Sequence, residues 1–462
     1  MCDLIKYKRN GFHILILSLF CLSMKSQSFP LETLFENGAY SERINIVVLG
    51  DGYRDHEFNL FHQHSINLIN DLFEESPYRE YKSYFNAFSI FTPSNVSGAA
   101  DDPSRPIDNF FGSTFNYAGI ERLLVPLYNS KISSVLAATF PEYDQVVMVV
   151  NDSRYGGSGG WIATTSAHPL AGEIAIHEIG HSFSNLSDEY YAGDQYARET
   201  ANMTRNSNPN QIKWRNWLNF QGIGIYTFCC GGNASSWYKP HQNCKMERLG
   251  VPFCSVCKEQ TVQDIHRLTH PITHYHPIED ELFFDGEVIP FYIDLIHPSP
   301  STMKTEWRVN EMKVNAVKDT LFLMDEHMET GHNTVEAIIT DETSFIRIEG
   351  YATINIYRLE WQVNNSTTNL RVGKPEKNHA RFVISPNPGN EFVRIQSNAF
   401  NEAPFNIILY SLKGEKVWEQ NFSGASGSEI IINTGSLLPG TYLLMFANDN
   451  WRHTSIGKWV KG

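Results

Sequence analysis

The stretch "AIHEIGHSFSNLSDEYYAGD", residues 175–194, constrains the fold more than any other part of the chain. Apolar Ala175, Ile176, Ile179 and Phe183 recur at helical spacing, so residues 173–183 are expected to form a helix. His177 and His181 then share one face, about 6 Å apart along the axis, and both imidazoles can reach a single ion at about 2.0 to 2.1 Å. Gly180 is a poor helix former and makes sense if a neighbour packs closely against it. Glu178 points to the open side of such an ion. A carboxylate there can take a proton from a polarised water and deliver it to a leaving amine, which makes Glu178 the expected general base.

A catalytic zinc site also needs a third protein ligand. Asp188 lies about 16 Å past His177 along an unbroken helix, out of reach. The helix must therefore end soon after His181. "SFSN" has the residues for it: the serines compete for backbone hydrogen bonds, and Asn185 tolerates left-handed geometry. A turn there folds Asp188 or Glu189 back to the metal.

The rest of the chain divides by pattern. "RINIVVLGDGY" (43–53) and "DQVVMVVND" (144–152) read as buried strands, and "EFNLFHQHSINLINDLF" between them as an amphipathic helix. Strand, helix, strand and histidine helix make a mixed α/β catalytic domain over residues 28–270. Beyond "IHPSP" (296–300) short alternating segments separated by polar turns indicate a β-sandwich, Ig-like in type, over 275–368. A linker, "TTNLRVGKPEKNHA" (367–380), precedes a last alternating region over 380–462 with Pro-Asn-Pro-Gly and Leu-Pro-Gly turns, expected as a small all-β domain.

At 462 residues the chain exceeds one hydrophobic core, in keeping with several domains. Its net charge of -14, with no Lys/Arg cluster, argues against nucleic acid as a partner. Lys6, Lys8 and Arg9 precede an apolar run from Phe12 to Met24, the order of a signal peptide over residues 1–27, with cleavage near Ser26 or Gln27. The run is shorter than the roughly 18 to 20 residues that span a bilayer, so no transmembrane segment is expected after its removal. Five cysteines then remain, Cys229, Cys230, Cys244, Cys254 and Cys257. In an exported chain they are expected to form disulfides, with one left over and the connectivity open. The competing reading is a structural zinc held by Cys254, Cys257 and neighbours.

His177-Glu178-x-Gly180-His181 followed by Leu186-x-Asp188-Glu189-Tyr190 resembles the bacterial IgA-peptidase-like zinc metallopeptidases, a metzincin-related group with a zincin fold. "INIVVLGDGY", "YGGSGGW" (155–161) and "CKMERLGVPFCSVC" (244–257) are similar to that family as well, so the resemblance covers about residues 43–265. It implies an α/β (α+β) zincin-like catalytic domain followed by two all-β sandwich-like domains, and one catalytic zinc. Related enzymes place their third ligand after a glycine turn, usually as a histidine. Here Ser184 and Ser187 stand at those two positions, so the expected ligands are His177, His181 and Asp188, with Glu189 as runner-up. The resemblance further implies Met246 as the methionine beneath the metal, and "GGSGGWIATTS" as an edge strand that pairs with an extended peptide.

"SPNPGNEF" (385–392), "LPGTYLLMF" (438–446) and the closing "KWVKG" resemble the type A sorting domain of the type IX secretion system. This implies that type IX machinery as a partner and a secreted or cell-surface location. The expected activity is zinc-dependent endopeptidase action on extracellular protein or peptide substrates. The alternative is a catalytically silent adhesin or glycoprotein-binding protein on a zincin scaffold, against which the intact His177, Glu178 and His181 argue.

Overall fold

A strand buried on both faces cannot alternate apolar with polar residues, and the run at 44–51 does not. In the computed structural model, which describes residues 29–347, 354–365, 383–386, 388–396, 405–411, 416–422, 429–448 and 454–461, it lies in the interior of a six-stranded sheet. The first part of the chain runs β1 (Leu31–Phe35), β2 (Ile44–Asp51), α1 (Phe58–Glu74), β3 (Phe85–Ile90), β4 (Ser113–Thr114), β5 (Val125–Pro126), α2 (Asn129–Thr139), β6 (Gln145–Val150), β7 (Gly157–Ser158), β8 (Ala163–Ser166), α3 (Ala171–Ser182) and α4 (Ser255–Leu268). The large sheet has the order β1-β3-β2-β6-β8-β7. Its four inner strands are parallel, while β1 and β7 are antiparallel edges.

Alternate residues of β2 and β6 feed two cores. Ile46, Val48, Val147 and Val149 pack with Phe61 and Leu68 of α1 and Ala175, Ile176 and Ile179 of α3. Val47, Leu49, Val146 and Met148 pack on the other face with Ile132, Val135 and Leu136 of α2. Helices therefore cover both faces, which is why these strands read as unbroken apolar runs. At the end of β2 the buried Asp51 accepts hydrogen bonds from the backbone N–H groups of Gly52, Phe111 and Ser113. Gly52 turns the chain at φ 70°, and a β-carbon there would sit 2.3 Å from the Gly98 carbonyl oxygen, so only glycine fits.

After α4 the described chain is almost wholly β. A three-stranded sheet (Ile272–His276, Ile289–Leu295, Thr320–Leu323) and a five-stranded one close on a core that includes Phe291, Trp307, Trp361 and Val335. A third region repeats the arrangement with three-stranded and four-stranded sheets around Val393, Ile407, Leu444 and Trp459. The architecture is thus mixed α/β followed by sandwich-like β regions. The expected signal peptide and linker lie outside the described residues. Among the described residues no helix is long and apolar enough to cross a membrane.

The first β region is tied to the α/β part through a buried polar knot. Asp341, at the end of strand Gly331–Asp341, accepts hydrogen bonds from Tyr81 (2.6 Å) and Thr302, and its carboxylate lies 2.8 Å from Nε2 of His266 on α4. Nδ1 of His266 meets the Tyr357 hydroxyl at 2.9 Å. Both His266 and Asp341 side chains are fully inaccessible to solvent. Burial opposes ionisation of Asp341, but its hydrogen bonds to His266, Thr302 and Tyr81 outweigh this and hold the carboxyl below the ordinary 3.8.

A carboxyl with a depressed folded-state pKa stabilises the fold above its unfolded pKa and loses that contribution as pH falls through the folded value. Asp341→Ala should therefore lower the melting temperature at pH 7, by an amount in line with the roughly 3–5 kcal/mol cost of breaking a buried pair. The gap between wild type and variant should narrow below about pH 4, as the wild-type carboxyl also protonates. Thermal unfolding followed between pH 7 and pH 3 checks both; a gap constant with pH would remove the ionised carboxylate from the account.

Candidate metal centre

α3 is buried over most of its length, from Ile174 to Gly180, because it lies between the sheet and the loops that lead to α4. Gly180 marks the closest approach. A β-carbon there would stand 2.8 Å from Sδ of Met246, a fully buried residue, so the glycine lets the methionine seat directly against the helix. The helix ends at Ser182, and Asn185 takes φ 49°. Leu186 then locks the reversal twice: its N–H donates to the Gly180 carbonyl at 3.0 Å, and its own carbonyl accepts from Nδ1 of His181 at 2.7 Å.

This turn brings Asp188 back over the helix. Its Oδ1 lies 3.1 Å from Nε2 of His177 and 3.2 Å from Nε2 of His181. The two imidazole rings are 4.9 Å apart and nearly perpendicular, at 86°. Each Nδ1 faces a backbone carbonyl, Lys245 for His177 (2.9 Å) and Leu186 for His181. A carbonyl only accepts, so each Nδ1 carries a proton and each ring turns its Nε2 toward the carboxylate. Three donors of electron density thus point at one place. That arrangement requires a cation or shared protons, and two imidazoles with one carboxylate are a donor set that fits zinc.

The charges respond to this crowding. Burial disfavours a charged His181, but the hydrogen bond and charge of Asp188 outweigh it and push the imidazole up to about 9. Burial likewise disfavours ionised Asp188, yet the hydrogen bonds from His177 and His181 hold its carboxyl well below the usual range. Glu178 is buried and moves the other way, raised mainly by desolvation. Its Oε2 is 4.0 Å from Nε2 of His181. A carboxyl poised toward neutrality beside the donor set is suited to proton transfer.

Glu189, the runner-up ligand, turns away from the two imidazoles. Its side chain is fully buried, 3.0 Å from Nδ2 of Asn202 and 3.5 Å from Sγ of Cys257. Tyr190 packs its ring 6.2 Å from that of His177 and accepts a hydrogen bond from Arg122 at 3.2 Å. Burial, and then the charge of Asp188, push the Tyr190 hydroxyl up to about 12, so it stays protonated at neutral pH. Arg122 also lines a cleft of about 970 Å³ with Asp101, Asn116, Glu121, Arg154 and Tyr155. Neither Arg122 nor the Lys245 carbonyl stands out in the sequence, because each reaches the site through tertiary packing alone.

Two expectations need correction. The edge strand at "GGSGG" is short, and at Gly157 its outer side is already taken: Gly157 N–H donates to Arg122 O at 3.3 Å and Leu124 N–H to Gly157 O at 3.4 Å. The part left open is the next stretch, where a β-carbon on Gly160 would meet nothing within 4 Å and Trp161 is 48% exposed. Disulfides among the clustered cysteines are the second: the one described pair joins the sequence neighbours Cys229 and Cys230, while Cys244, Cys254 and Cys257 are free and buried.

Gly159 abuts the site from the β7 side. A β-carbon there would lie 2.7 Å from Cβ of His181 and 2.9 Å from Oε2 of Glu178. Because His181 Cβ is fixed by the helix, Gly159→Ala should cost about 1–3 kcal/mol, seen as a lower melting temperature and a shifted His181 resonance by NMR. An unchanged protein would mean that this segment gives way freely.

Residues 33–228 match the family model described as IgA Peptidase M64, and residues 383–461 match that of the secretion system C-terminal sorting domain. None of the curated proteins matches the chain. Among solved structures the chain is similar to Bacteroides ovatus mixed-linkage glucan utilization locus SGBP-B (10% identity, 41% of this chain and 47% of that one, TM-score 0.16). It is also similar to Bacteroides uniformis beta-glucuronidase 3 (12%, 49% and 28%, 0.15) and to chicken CNTN1 FN1-FN3 domains (6%, 41% and 65%, 0.15). The chain thus spans under half the length of the first two, and likeness at these scores carries no argument. The family matches do: the first points to a peptidase, and the sorting domain indicates export through type IX secretion to the cell surface or the medium.

Proposed function

We propose that this exported peptidase-family chain is a zinc-dependent endopeptidase, with His177, His181 and Asp188 as ligands and Glu178 as general base. The observation that carries the reading is the convergence of the two Nε2 atoms and Oδ1 of Asp188 at 3.1 and 3.2 Å, with both Nδ1–H groups held by backbone carbonyls. Zinc, when bound by these three groups, would polarise a water and the scissile carbonyl. Residues 28–270 would form a zincin-like catalytic unit, with β units over 275–368 and 380–462 behind it.

The chain's own groups account for the remaining steps. The Lys245 and Leu186 carbonyls fix the tautomer and direction of the two ligand rings. Glu178, raised by burial, takes a proton from the attacking water and hands it to the departing amine. The Tyr190 hydroxyl, protonated and held by Arg122, would donate to the developing oxyanion. An extended substrate backbone would lie along the open stretch at Gly160 and Trp161.

Glu178→Gln should reduce hydrolysis of casein or gelatin by at least about 10²-fold while leaving the bound zinc in place. Asp188→Ala and His181→Ala should each lose the ion at this centre together with the activity. Metal analysis paired with a cleavage assay reads all three. A zinc-loaded wild type inert toward every protein offered would favour the adhesin reading instead.

A further inference from the structure

Behind the turn that carries Asp188 lies a second cluster of metal-binding side chains. Glu189, Cys244, Cys254 and Cys257 are all buried, and one donor atom from each falls within 4.8 Å of all the others. Cys257 Sγ is 3.6 Å from both Cys244 Sγ and Cys254 Sγ, and 3.5 Å from Oε1 of Glu189. Four ligands at the corners of a tetrahedron, with Zn–S of about 2.3 Å, stand about 3.8 Å apart along each edge. A disulfide would need about 2.05 Å. The observed separations match the tetrahedral edge, and three cysteines in one cluster cannot all pair with one another.

The carboxylate supplies an independent argument. Oε1 of Glu189 is engaged by Asn202, but Oε2 is buried with no hydrogen-bond partner, in a residue with no exposed surface. An orphaned carboxylate oxygen in the interior is costly unless something positive meets it. Buried Lys239 stands close by, yet its ammonium is committed to the Glu189 backbone carbonyl (2.6 Å) and to Glu247.

We infer that Glu189, Cys244, Cys254 and Cys257 form a second, structural site for a tetrahedral divalent ion of the zinc class. All four positions are filled by protein, so the site has no open coordination for water or substrate and is structural in kind. Its ligands flank residues of the first centre: Glu189 follows Asp188, and Cys244 precedes Lys245, whose carbonyl orients His177. The Glu189 N–H also donates to the Met246 carbonyl at 2.7 Å. Filling this site would clamp the returning turn to the loop beneath α3 and to the start of α4, where Cys254 is the N-cap residue. It shares no ligand with the proposed catalytic centre, so the two stand or fall separately.

Metal content of the full-length secreted chain, measured by plasma mass spectrometry, should give two zinc ions per molecule, and the double variant His177→Ala/His181→Ala should keep one. Cys254→Ser/Cys257→Ser should lose one ion and several degrees of melting temperature. Because that variant can fail to fold, the wild-type thiols supply the decisive check. Unfolded in chelator without reductant, Cys244, Cys254 and Cys257 should all react with an alkylating agent in peptide mapping. Any disulfide-linked peptide among the three, or a metal-free His177→Ala/His181→Ala protein that still folds, would overturn the site.

Discussion

The chain reversal at Asn185 is the constraint on which the candidate centre rests. Two histidines four apart on a helix present two ligands at no conformational cost, but a third from the same stretch requires the helix to stop within a turn. Asn185 in the left-handed region, closed by the Leu186 N–H on the Gly180 carbonyl, provides that stop. The same Leu186 carbonyl then orients His181. One residue thus ends the helix and aims a ligand.

What surrounds the turn is unusually polar for an interior. Lys245, almost wholly buried, is neutralised by Glu75 at 2.9 Å and Glu173 at 2.8 Å, and its carbonyl serves His177. Ser187 is held by Asn202, which also reaches Glu189. Such groups are stable in the interior only when each has a partner, and the partnering is what fixes the loops rigidly enough to place donor atoms within a few tenths of an ångström. The thiol and carboxylate cluster behind Asp188 extends this scaffold. The Asp341 knot does comparable work farther out, joining the first β region to α4 through His266 and to the segment before β3 through Tyr81.

Much of this was legible in the residues themselves. The buried strands at 44–51 and 145–150 showed as unbroken apolar runs because helices cover both faces of their sheet. The end of α3 showed in "SFSN", since serine and asparagine compete with helical hydrogen bonds locally. Less was legible where local rules say nothing. Whether Asp188 or Glu189 faces the imidazoles depends on a single residue of register after the turn, which no periodicity encodes. The cysteines read as disulfide partners because compartment predicts oxidation, yet spacing along the chain cannot tell three thiols around one point from a paired set.

The sequence by itself determined the kinds of chemistry present: a histidine pair at helical spacing, a neighbouring carboxylate and alternating β regions toward the C-terminus. These depend on contacts a few residues apart, which the order of side chains dictates. Tertiary structure alone decided that the Lys245 carbonyl holds His177, that Arg122 meets Tyr190, that Arg122 and Leu124 cover the edge at Gly157, and that Glu189 joins Cys244 and Cys257. Each of these brings together residues dozens of positions apart. Their meeting is set by how the helices and loops pack on the sheet, a global minimum that no short window of sequence contains.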